Sequence, residues 1–185
     1  MWKTILCLLP VTAVALDLNP RADFKELEGR RFPVISFEDP GKKIQWTPPT
    51  DWRMSYENGV LKLFPKALTK ASMELRVVQR AAGDREALGS VEKLLPYCGK
   101  YLPSIAKGLS YRGNNPGPFN IGPLAAQEYL IDFSEGGHSC RASVSMLDYS
   151  DRQRLIVVIT AQPKDFEAVR TEAMLSMNSW QTDSL

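Results

Sequence analysis

His138 is the only histidine in the chain of 185 residues, so it is the one side chain whose ordinary pKa suits a general base near neutrality. A serine hydrolase would need a hydroxyl beside it, and Ser139 or Ser143 could be named for that role only by proximity in sequence. No Gly-x-Ser-x-Gly elbow exists to present such a nucleophile. Because Ser134-Glu135-Gly136-Gly137 runs directly into His138, the competing reading is a solvated histidine at the end of a hairpin. His138, Cys140 and Cys98 could supply three zinc ligands, but the spacing is foreign to structural zinc motifs and a fourth ligand is missing. We expect no metal and no cofactor.

Glu128 and Asp132 lie four residues apart, which places them on one face of an extended strand. With Arg141 or Arg154 across a sheet they could move protons or bind a cation; the same residues also make ordinary cross-strand ion pairs. Lys62, Lys66 and Lys70 could meet an anionic partner or form a solvated face. Trp46, Trp52 and Tyr56 surround the break Thr47-Pro48-Pro49-Thr50-Asp51 and are the candidate partner-binding residues, since aromatic side chains concentrate in recognition patches. Core packing is the alternative for at least two of them.

The elements that must position these groups are clearest from Ala125 to Trp180. Tyr129, Ile131 and Phe133 alternate with Glu128, Leu130 and Asp132, and after the Gly-Gly turn Cys140, Ala142, Val144 and Met146 alternate with Ser139, Arg141, Ser143 and Ser145. The run Leu155-Ile156-Val157-Val158-Ile159 does not alternate, which predicts a strand covered on both faces. Asp165 is placed as an N-cap, and Phe166, Val169, Ala173, Met177 and Trp180 recur at helical steps behind it. Earlier in the chain, Asn58-Gly59 predicts a tight hairpin between Trp52-Met54-Tyr56 and Val60–Phe64, and Met73, Leu75 and Val77 predict a further strand. A helix is expected from Asp84 to Leu95, ended or kinked by Pro96, with a second helical piece towards Ala106. Gly113-Asn114-Asn115-Pro116-Gly117-Pro118 reads as a surface loop.

Basic and acidic residues number 23 and 21, a net charge of +2, which lacks the concentration of a nucleic-acid binder. Residues 1–15 read as a secretory leader: Met1-Trp2-Lys3, an apolar run, then Ala13-Val14-Ala15 before the cut. That run is too short for a membrane span. The expected product is periplasmic, lumenal or extracellular, with no stable membrane insertion once the leader is removed. Residues 16–31 read as an arm or linker and 32–182 as one globular domain. Export leaves Cys98 and Cys140 on inward faces, either bonded to each other or packed as thiols. The order of strands, a helical middle, more strands and a closing helix predicts an α+β fold with a mainly antiparallel sheet.

The stretch Ile44-Gln45-Trp46-Thr47-Pro48-Pro49-Thr50-Asp51-Trp52, the return strand Gly59–Leu63, the strand Arg154–Ala161 and the terminal Asn178-Ser179-Trp180 together resemble the PsbP-like superfamily. The resemblance implies an antiparallel sheet between helical layers, an α/β/α sandwich, in a family that mainly binds or assists other proteins. It assigns no metal ligand or partner-binding residue. The function expected is an exported, non-enzymatic domain that binds a protein partner or assists assembly of a complex. The alternatives are a small hydrolase or isomerase with a fold-assembled site, and a carrier of an apolar small ligand.

Overall fold

A computed structural model describes residues 16–39, 42–81 and 88–184. The proposed leader and residues 82–87, where the expected helix begins, lie outside them. Strands are β1 (Asp17–Leu27), β2 (Arg30–Asp39), β3 (Lys42–Trp46), β4 (Trp52–Glu57), β5 (Val60–Pro65) and β6 (Ser72–Gln79). Helix α1 (Val91–Gly99) precedes β7 (Lys107–Ile121), β8 (Leu124–Glu135), β9 (His138–Asp148) and β10 (Gln153–Ala161). Helix α2 (Phe166–Met177) and β11 (Gln181–Ser184) close the chain. The strands form a four-stranded sheet, β1-β2-β3-β11, and a seven-stranded sheet, β4-β5-β6-β10-β9-β8-β7, antiparallel throughout.

Strand β10 runs through the middle of the large sheet, and its apolar run divides by parity. Leu155, Val157 and Ile159 enter a core shared with the small sheet and α2, while Ile156 and Val158 enter a second core roofed by Leu94, Tyr97 and Cys98 of α1. Both faces of the strand are therefore covered, as the unbroken run predicts. One cover differs from the expected sandwich of helical layers. On the α2 side much of the roof is the small sheet, so the fold is mostly β, with two short helices.

Several local expectations change. Residues 16–31, read as an arm, include β1, and Leu16 and Leu18 are buried in the core. Glu28 and Gly29 both take positive φ to turn β1 into β2, a tight hairpin whose first position gives no glycine signal. Residues 113–118 belong to β7, an edge strand, where Pro116 and Pro118 cost fewer ladder bonds than in a central strand. Pro96 sits inside α1, which continues to Gly99, and Ser90 caps its start by accepting from Lys93 N at 3.4 Å. Asp165 occupies the N-cap of α2 without a side-chain bond, and the helix stops at Met177 instead of reaching Trp180.

Candidate functional site

Glu128 lies on the face of β8 opposite Tyr129, Ile131 and Phe133, as alternation predicts, but that face is buried at Glu128 instead of solvated and gives it a different partner. Its side chain is fully buried beneath α2, with Arg170 Nε and Nη2 donating to Oε1 and Oε2 at 2.6 Å each. Asn115 Nδ2 donates to Oε2 at 2.7 Å and Ser143 Oγ to Oε1 at 2.5 Å. Burial alone would raise the Glu128 pKa, but the bonds from Arg170, Asn115 and Ser143 outweigh it and hold the carboxyl below its usual range. An acceptor so fully occupied is a poor base, and it fixes α2 to the sheet. Asp132 instead joins Arg141 at 2.8 Å and Arg112 at 3.0 Å, in contact with solvent. Arg154 turns to the other face, donating to Asp148 at 2.7 Å and to the Tyr97 hydroxyl at 3.0 Å.

The thiols also serve the interior. Cys98 and Cys140 are free and buried within the α1-side core, so the expected disulfide option gives way to packed thiols. Burial pushes Cys98 up to about 12, and burial followed by the charge of Glu135 raises Cys140. A protonated thiol is a weak nucleophile. Among the described residues no three His, Cys, Asp or Glu side chains converge on a metal-binding position.

His138 is exposed, yet it lines a hollow of about 330 Å³ with Glu135, Lys70, Ser72 and Thr160. The Ser72 hydroxyl pairs with Thr160 Oγ1 at 2.9 Å, and no hydrogen bond joins a hydroxyl to the imidazole among the described residues. The base and nucleophile of a hydrolase are thus not coupled here.

Of the three aromatic candidates, Trp46 belongs to the core. It is fully buried, stacks on Phe37 with ring centroids 5.9 Å apart, meets Trp180 at 6.2 Å and donates to Ser176 O at 3.0 Å. Trp52 and Tyr56 are half-buried against the same core, and Tyr56 also donates to Asp17 at 3.2 Å. Proline next to an aromatic marked a turn, while the packing that consumes Trp46 comes from distant residues. Large apolar groups are exposed elsewhere, on the β1–β2 hairpin. From Phe24 to Pro33 every residue is exposed except the half-buried Lys25, and Phe24, Leu27 and Phe32 retain 58%, 56% and 46% of their surface. Register puts Phe32 opposite Lys25 and Leu27 opposite Arg30, while the Arg31 guanidinium lies 6.0 Å from the centre of the Phe24 ring. Sequence reasoning missed this surface by treating residues 16–31 as an arm; Phe24 and Leu27, large apolar residues in a polar stretch, were the available signal.

No protein-family model matches the chain, and no curated protein matches it in sequence. Among solved structures it is similar to LpqN of Mycobacterium tuberculosis, described as involved in cell envelope biogenesis, at 13% identity and a TM-score of 0.52. That match covers 90% of this chain and 92% of LpqN. It is also similar to PA94 of Pseudomonas aeruginosa, a protein of unknown function, at 16% identity and a TM-score of 0.45, over 85% of this chain and 94% of that one. The likeness to LpqN shows a shared fold, and the PsbP-like resemblance has no matching family model behind it. No helix among the described residues is long and apolar enough to cross a membrane.

Proposed function

We propose that the chain is an exported, non-catalytic domain of the cell envelope that recognises a protein partner through its β1–β2 hairpin. The observation that carries this reading is the exposure of Phe24, Leu27 and Phe32 on a hairpin extending past the last buried pairs of the small sheet. Leu27 and Phe32 share one face of the hairpin and Phe24 lies on the other, so a partner that covers all three wraps the tip; exposed apolar groups of this size favour a surface that becomes covered on association. The groups best suited to chemistry are otherwise engaged: Glu128 holds α2, and the two thiols are packed and protonated. The leader-like residues 1–15, the partner-binding habit of PsbP-like proteins and the envelope role of LpqN support the same compartment and class.

The test is affinity capture from the native compartment with the wild-type chain and a Phe24→Ser/Leu27→Ser/Phe32→Ser variant, both checked for folding by circular dichroism. We expect a partner retained by the wild type and lost by the variant. Equal recovery of the same partners by both would sink the proposal.

A further inference from the structure

The hollow beside His138 lies across the ends of neighbouring strands in the large sheet, and its charges are arranged in order. Phe64 comes from β5, Ser72 from β6, Thr160 from β10, Cys140 and His138 from β9, and Glu135 from β8, in the sequence in which those strands are paired. Lys70, on the connection between β5 and β6, therefore stands at one end, and Glu135 at the other. Lys62 and Lys66 are held by Glu74 and Asp51, but among the described residues neither Lys70 nor Glu135 has an ion-pair partner. Between them the hydroxyls of Ser72 and Thr160 form a polar pair, and Phe64 and Pro103 supply apolar wall. The buried Cys140 thiol feels both ends, its pKa raised by burial and then by Glu135 while Lys70 lowers it.

We propose that this hollow binds a short peptide with free ends, its carboxylate at Lys70 and its ammonium at Glu135. Strands β6 and β8 are three spacings apart, about 14 Å between backbones. That separation exceeds the length of an extended di- or tripeptide, about 7–10 Å, and leaves room at each end for the charged groups of Lys70 and Glu135. The peptide's amide groups meet the Ser72–Thr160 pair, and apolar side chains rest on Phe64 and Pro103. The volume of about 330 Å³ lies at the small end of the range for ligand pockets, about 300–1,000 Å³.

The experiment is a nuclear magnetic resonance titration of the isotope-labelled full chain with the dipeptide Ala-Leu and the tripeptide Ala-Ala-Leu. Each is used free, N-acetylated and C-amidated. Saturable shifts at Ser72, Cys140, His138 and Thr160 are expected with the free peptides, weakened about tenfold or more by capping either end. Lys70→Ala should weaken the free peptide as amidation does, and Glu135→Gln as acetylation does, with little further loss when cap and matching substitution are combined. Lys70 is exposed and Glu135 half-buried, so circular dichroism should show both variants folded. Absence of saturable shifts at millimolar peptide, binding indifferent to the caps, or shifts outside the hollow would overturn the proposal. The hairpin belongs to the other sheet, so its triple variant should titrate like wild type and the two proposals fail separately.

Discussion

Beneath α2 the fold encloses a carboxylate and answers it with an arginine, an amide and a hydroxyl, whereas at the β1–β2 tip it leaves Phe24, Leu27 and Phe32 in water. A buried charge without partners would be costly, so the partners around Glu128 hold the closing helix in one position. The exposed apolar groups have no comparable satisfaction from their own chain. Polar chemistry is thus turned inward for architecture, and unsatisfied surface is turned outward.

If that division is right, substitutions in the two regions must differ sharply. The largest loss is expected for Trp46→Ala, which removes a fully buried ring from between Phe37 and Trp180 and should cost about 3–5 kcal/mol in urea denaturation. Next comes Arg170→Ala, which strands Glu128 and should cost about 3 kcal/mol. The paired variant Glu128→Leu/Arg170→Leu should recover much of that loss; if it is worse than Arg170→Ala, the pair does more than anchor the helix.

A smaller effect should follow pH. The folded Glu128 pKa lies below its ordinary value of 4.5, so its contribution is complete above about that pH and is lost as pH falls through the folded value. Denaturation between neutral and acid pH should show stability falling below pH 4.5, and Glu128→Gln should flatten that slope. An unchanged slope would assign the acid loss to other carboxylates, with Asp132, also lowered, the first to examine. The smallest effect belongs to the hairpin, where Phe24→Ser/Leu27→Ser/Phe32→Ser should shift stability by only about 0.5 kcal/mol per site or less. A larger loss would place those side chains in the fold's own packing.

The sequence made the large sheet more legible than the small one. In β8 and β9 alternation named the residues of the α1-side core but took the other face as solvated, where Glu128, Ser143 and Ser145 are fully buried; the unbroken run in β10 announced two covers, because that pattern is set by burial along a single strand. The nature of the second cover was hidden, since β1 and β11 are polar segments recruited by pairing with β2 and β3. For the same reason Glu128 looked like one end of a solvated ion pair; Arg170 is 42 positions away, and only the docking of α2 brings them together. The hollow was legible in its members, with His138, Cys140 and Lys70 each singled out, but its shape depends on strand order, which no local pattern encodes.

The most direct test of the division between inward chemistry and outward recognition is photo-crosslinking in the native compartment. A crosslinking amino acid is placed in turn at Phe24, Leu27 and Phe32, and at Leu175, which is also exposed but lies on α2. The account predicts that the three hairpin positions trap one and the same protein and that Leu175 does not. Trapping of that protein from Leu175 alone, or from none of the hairpin positions, would contradict it.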